Sequence, residues 1–229
     1  MAGVGLMVEV IAHELARASE NALQNIEALQ KRNVPEDVKA KLASLRSQMK
    51  SLGKRIRILD PLSVSGRQTS ETFLFDGLID EVLEGHAAQF ERHGIKVKVQ
   101  KPEGPIQVRL VKGMVVQILE NLISNSKYWL EMKGSRTSFE KRIDILLTQS
   151  PPSLIYEDNG PGIAAENKDK VFRPFFSLKE KSKRRGLGLF IARECAEQLG
   201  GTLELADSCD EAGRLHRFML ELPEGTVVR

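Results

Sequence analysis

A nearly unbroken helical spacing of apolar residues runs from Val4 to Leu59, with a single interruption. Leu6, Val10, Ile11, Leu15, Ala18, Ala22, Ile26 and Leu29 recur every three or four residues up to Gln30. This is the stripe of one amphipathic helix. The segment from Lys31 to Glu36 breaks it, and Pro35 suits the start of a new helix. A second stripe follows at Val38, Leu42, Leu45, Met49, Leu52, Ile56 and Leu59, ending at Asp60-Pro61. Two long helices joined by a short turn make an antiparallel hairpin over 1–62. One hairpin cannot cover so wide a stripe. A homodimer closing into a four-helix bundle is therefore expected. The pattern begins at the start of the chain, so the sequence is expected to be a fragment of a longer protein.

Pro61 to Ser70 is polar, carries a glycine and has no period, which marks a linker. Beyond it the pattern becomes mixed α/β over 70–225. Strands are predicted at Phe73-Leu74-Phe75, Ile95–Gln100, Gln107–Leu110, Arg142–Thr148, Ser153–Glu157, Thr202–Leu205 and Leu215–Glu221. Helices are predicted at Gly77–His93, Lys112–Met132 and Leu187–Leu199, with a loop-rich, basic stretch over 159–185. The fold class is α+β, and no internal repeat is visible.

The 229 residues suffice for an ordinary core without covalent staples. Lys and Arg total 34 against 31 Asp and Glu, a net charge of +3, which is too balanced for a dedicated nucleic-acid binder. Cys195 and Cys209 stand alone, in no metal-ligand or disulfide pattern, and suit a reducing compartment. No apolar run reaches the roughly 18 residues of a membrane span. The opening segment lacks a basic region and a cleavage site, so it is not a signal peptide. The chain reads as soluble and cytoplasmic.

Three constellations in the second part carry chemistry. Asn121 and Asn125, four apart on a predicted helix, share a face, and amide carbonyl oxygens suit a hard cation such as Mg²⁺. Taken alone the pair reads more readily as solvated or capping residues. Asp158-Asn-Gly-Pro-Gly follows an apolar strand: Asp158 can accept a hydrogen bond from an exocyclic amine, and Gly160 and Gly162 permit close backbone approach to a flat ring. Its plain reading is a turn. Val171-Phe-Arg-Pro-Phe-Phe precedes a basic run and then Gly186-Leu-Gly-Leu at the start of a helix, where free N–H groups and a positive dipole end favour phosphate. A basic run alone is usually a solvated loop.

In this order the motifs resemble the N, G1, F and G2 boxes of the GHKL (Bergerat) ATP-binding fold, an α/β sandwich with a mixed sheet. Within that superfamily residues 70–222 look like the catalytic domain of a sensor histidine kinase. The resemblance implies that ATP is bound, with Asn125 a Mg²⁺ ligand and Asn121 lining the same pocket. It implies that Asp158 binds the adenine amine, with Gly160 and Gly162 near the base. Phe172 and Phe175 would anchor a lid, Gly186 and Gly188 would shape the phosphate turn, and Lys179 and Arg185 would contact phosphate. The family often carries a basic residue three after the second Asn. Here Lys127 is two after, about 100° away around the helix, and is left out of the site.

The segment Ile11-Ala-His13-Glu14-Leu15 resembles the family's phosphoacceptor box. Neutral imidazole is a competent nucleophile, and Glu14 can orient it or take its proton. His beside Glu on a helix is otherwise an ordinary surface pair. Arg17 and Ala18 stand where the family commonly has Thr or Asn and then Pro, which puts phosphatase activity in doubt. The resemblance thus implies an ATP-dependent protein-histidine kinase core that autophosphorylates His13 and passes the group to an aspartate on a response-regulator receiver domain. The alternative is a GHKL ATPase clamp or a nucleotide-binding scaffold without phosphotransfer. A clamp places a water-activating Glu four residues before the metal-binding Asn, where this chain has Asn121, with Glu120 one position off.

Overall fold

The helical spacing near the start and the strand alternation beyond it segregate into two units, Met1–Gly66 and Arg67–Arg229. The computed structural model describes residues 17–30, 35–56, 69–179 and 186–228. In the first unit residues 17–30 form helix α1, and Glu36–Ile56 form α2. The Pro35 carbonyl accepts from the amides of Val38 and Lys39, both at 3.0 Å, so the proline sits just ahead of the helix it starts. The Ser19 hydroxyl donates to the Met49 carbonyl at 3.3 Å, and Arg46 pairs with Glu27 at 2.7 Å, which sets the two helices antiparallel. Leu42 is buried, whereas Leu29 and Leu45 of the same stripes remain 43% and 45% exposed. The hairpin by itself leaves part of its apolar surface uncovered. Residues 4–16 of the first predicted helix and residues 57–68, which hold the end of the second and most of the linker, lie outside the described residues.

The second unit runs β1 (Glu71–Leu74), α3 (Phe75–His93), β2 (Ile95–Gln100), β3 (Gln107–Leu110), α4 (Lys112–Gly134), β4 (Lys141–Gln149) and β5 (Pro152–Asp158). It continues with β6 (Ile163–Ala164), α5 (Gly188–Gln198), β7 (Thr202–Leu205), β8 (Arg214–Leu215) and β9 (Arg217–Glu221). Five strands form one mixed sheet in the order β2-β4-β5-β9-β7, parallel between β2 and β4 and antiparallel elsewhere. Two short pairs, β1-β3 and β6-β8, lie outside it.

Period-two alternation gives this sheet one apolar face. Ile143, Ile145, Leu147, Leu154, Tyr156, Leu203, Leu205, Phe218 and Leu220 are buried. Ile118, Leu119, Leu122 and Ile123 of α4 are buried with them, as are Phe190 and Ile191 of α5. Helix α4 touches β4 and β5 and packs against both α3 and α5. The result is a helix layer on one side of a mixed sheet. Among the described residues no helix is long and apolar enough to cross a membrane.

Two predicted elements differ in detail. Phe75 is not in a strand. It is the first residue of α3, fully buried, with its amide donating to Ile106 at 2.7 Å, while Asp76 supplies the acidic first turn that favours a helix start. The predicted strand Leu215–Glu221 is two: β8 pairs with β6, and β9 enters the main sheet, so that His216 sits where the chain changes partners. Local alternation cannot reveal which strand is the partner.

Because α4 packs between α3 and α5 over β4 and β5, Leu122→Ala is expected to cost about 3 kcal/mol of unfolding free energy in urea titrations, Leu122 being 1% exposed. Lys98→Ala on the exposed face is expected to stay within about 0.5 kcal/mol of the parent.

Candidate functional site

Asp158 continues the inward-facing row of Leu154 and Tyr156 to the last residue of β5, where the apolar core gives out. Its carboxylate is held at both oxygens. The Ser126 hydroxyl on α4 donates to Oδ2 at 2.5 Å, and the Gly160 amide donates to Oδ1 at 2.9 Å. Burial raises the Asp158 pKa above the ordinary carboxylate range, against the lowering effects of Ser126, Gly160, His216 and Lys133. Tyr156 lies one pleat further in, fully buried, and among the described residues its hydroxyl has no hydrogen-bond partner. Burial likewise holds its proton on.

The turn after β5 has no room for side chains. A Cβ at Gly160 would lie 2.6 Å from Asp158 Oδ1 and 3.6 Å from the Cβ of Trp129. Gly162 has φ +65°, and a Cβ there would lie 2.6 Å from His216 Nε2. Lys133, at the end of α4, donates to the carbonyls of Asn159 and Gly160 at 2.7 and 2.9 Å. The Asn159 side chain faces β4, accepting from the Arg142 amide and donating to the Glu140 carbonyl.

On α4, Asn121 donates through Nδ2 to the Gln117 carbonyl at 2.9 Å. A Cβ at Gly188, the first residue of α5, would come within 3.0 Å of Asn121 Oδ1. The paired-Asn face and the GLGL turn therefore abut. Asn125, one turn on, is half-buried, and none of the described residues hydrogen-bonds its amide. Glu120 and Lys127 turn instead to α3: Glu120 meets His86 at 2.9 Å, and Lys127 donates to Gln89 at 2.9 Å.

The two aromatic candidates do different things. Phe172 is 4% exposed, with the Phe218 ring 6.2 Å away edge-on and the Arg193 guanidinium 3.7 Å above it. Phe175 is 75% exposed, with φ 66°. Its amide donates to the Gly186 carbonyl at 2.8 Å, and a Cβ on Gly186 would lie 2.4 Å from the Phe175 carbonyl carbon. Phe175 and Gly186 thus clasp the two ends of the basic loop through their backbones. Within that loop Lys179 lies 4.6 Å over the Tyr128 ring of α4. Arg185, His13 and Glu14 lie outside the described residues. Sequence reasoning missed Ser126, Tyr128, Tyr156, Lys133, Arg214 and His216. Only Tyr156 had a usable signal, its period-two relation to Asp158.

The family described as histidine kinase-, DNA gyrase B-, and HSP90-like ATPase matches residues 110–226, and the chain belongs to it. A second match, the HEF_HK domain, covers residues 3–68. The relatives include proteins named sensor protein and sensor histidine kinase. Sensor protein ChvG of Rhizobium meliloti (strain 1021) is 35% identical over 56% of this chain and 23% of its own length. Sensor histidine kinase CpxA of Escherichia coli (strain K12) is 28% identical over 86% of this chain and 43% of its own. Among solved structures, full-length ShkA in complex with AMPPNP superposes with a TM-score of 0.65 at 17% identity, covering 95% of this chain and 45% of that one. The chain thus spans less than half the length of these two curated relatives.

A raised carboxyl pKa means that the folded state holds this proton more tightly than the unfolded chain does. The resulting stability is present in full below the ordinary carboxylate range and is lost as pH rises through the raised value. Asp158→Asn removes that contribution. In urea titrations, the unfolding free energy of the parent minus that of Asp158→Asn should fall as pH rises from about 4, whereas a flat difference would contradict the burial of this carboxyl.

Proposed function

We propose that the chain is the ATP-dependent protein-histidine kinase core of a two-component signalling system. The observation that carries this reading is the Asp158 carboxylate, aimed by Ser126 and Gly160 at the end of β5 beside a glycine turn. A half-buried carboxylate already oriented by two donors suits the amine edge of adenine. Gly160 and Gly162 leave room for the flat base. Gly186, Gly188 and the start of α5 offer amides and a positive dipole end to phosphates, and Lys179 and Arg185 add positive charge from the loop.

The donor set also fits Mg²⁺. Asn125, with Asn121 beside it, would offer amide oxygen to the ion, as a hard cation prefers. When bound, Mg²⁺-ATP supplies the phosphoryl group and part of the charge neutralisation that phosphoryl transfer needs. His13 supplies the nucleophilic ring nitrogen, and Glu14 orients the ring and takes the proton it releases. The aspartate of a response-regulator receiver domain then takes the phosphoryl group from His13. Dimerisation through the hairpin covers the exposed Leu29 and Leu45, and a cytoplasmic setting suits both ATP and the regulator.

Two observations favour transfer to a side chain over an ATPase clamp. Asn121 stands where a clamp needs its water-activating Glu, and the neighbouring Glu120 is engaged with His86 on α3. The relatives' names, sensor protein and sensor histidine kinase, agree with this choice.

Incubation with γ-labelled ATP and Mg²⁺ should give acid-labile, base-stable label on the parent and none on His13→Gln or Asn125→Ala. ATP turnover without label on the parent would replace this reading with the clamp.

A further inference from the structure

All five carbonyls of the turn Asp158-Asn-Gly-Pro-Gly face a nitrogen of a basic side chain. Lys133 donates to those of Asn159 and Gly160, and Arg214 donates to those of Pro161 and Gly162 at 3.1 and 2.9 Å. The remaining one, that of Asp158, faces His216 Nδ1 at 3.0 Å. On its other side His216 Nε2 meets Asp210 Oδ2, also at 3.0 Å. Both ring nitrogens therefore face acceptors. A neutral imidazole has one N–H and can satisfy only one of them, while an imidazolium donates to both.

We propose that His216, as an imidazolium, is a positioning residue for nucleotide binding, clamping the turn 158–162 to Asp210 so that affinity for the nucleotide depends on pH. The inference rests on the nucleotide-site reading above. The charged groups around the ring are Asp158 at the end of β5, Asp210 on the loop before β8 and Arg214 on β8, while Lys133 on α4 holds the same turn at Asn159 and Gly160. Lysine and arginine keep their charge near neutrality, so the imidazole is the member of the clamp whose hydrogen bonding depends on gaining or losing a proton.

Asp210 is built to hold its end of the clamp. Its Oδ1 accepts from the amides of Ala212 and Arg214 at 3.0 and 2.8 Å, leaving Oδ2 for the ring. The Arg214 amide and the His216 ring both favour its ionised form. Loss of the second ring proton sets a lone pair against either Oδ2 or the Asp158 carbonyl. Gly162 packs so closely on the ring that a shift of His216 reaches the turn directly. The positive ring also favours the ionised form of the Asp158 carboxyl, which is the form that accepts from an amine.

The test is calorimetric titration of the non-hydrolysable analogue AMPPNP with Mg²⁺ into the parent and His216→Gln. Taking the ratio of their Kd values at each pH cancels the ligand's own ionisation. Glutamine keeps one donor and does not titrate. The variant should bind about tenfold more weakly near pH 5.5, and the ratio should approach one near pH 8.5. A ratio unchanged with pH would overturn the inference. So would a ¹⁵N NMR titration of the parent in which the His216 ring is not doubly protonated near pH 5.5, a measurement that needs no variant to fold. Absence of AMPPNP binding by the folded parent would instead overturn the nucleotide-site reading, and this inference with it.

Discussion

The hydrogen bond from Ser126 to Asp158 joins the central helix to the end of the central strand, and the site is organised around that junction. A carboxylate among core residues is costly unless its oxygens are satisfied. Here Ser126 and the Gly160 amide supply the donors, and the lysine, histidine and arginine around the following turn fix its backbone. The same α4 that carries Ser126 carries Asn121 and Asn125 and meets α5 at Gly188. Packing that buries Ile118, Leu119, Leu122 and Ile123 therefore also places the polar groups of the site relative to one another.

What could be read from the sequence was whatever repeats or breaks locally. The alternation in Ile95–Gln100 and the helical spacing of α4 follow directly from period, and both elements form where expected. The glycines of the 158–162 turn and of GLGL stand out because no side chain fits there. Three features were not legible. His216 acts on a carbonyl 58 residues away, a relation set by sheet register. Ser126 is an ordinary residue for a helix and gains its role only by facing the end of β5. Nothing local in the sequence marks Phe175 as lying in an exposed left-handed turn, where its amide bonds to the Gly186 carbonyl.

The division between the two units mirrors a division of chemistry. The second unit holds the groups suited to a nucleotide, with Glu120 and Lys127 drawn off to α3 and so kept from the asparagine face. The first unit is a hairpin whose exposed Leu29 and Leu45 call for a partner surface, and the proposed acceptor His13 belongs to its sequence. A phosphoryl group that leaves the nucleotide for a side chain needs an acceptor imidazole rather than an activated water, and the asparagine at position 121 accords with that requirement.

The central claim is that the paired asparagines, the 158–162 turn and the Gly186–Gly188 turn form one nucleotide pocket around Asp158. Hydrogen–deuterium exchange of the intact chain, with and without a non-hydrolysable ATP analogue and Mg²⁺, tests it directly. Protection should appear together in the peptides covering residues 117–130, 158–164 and 186–192, while the strands β2 and β7 at the sheet edges stay unchanged. Saturating analogue that leaves those three segments unprotected, or protects a different part of the chain, would contradict the account.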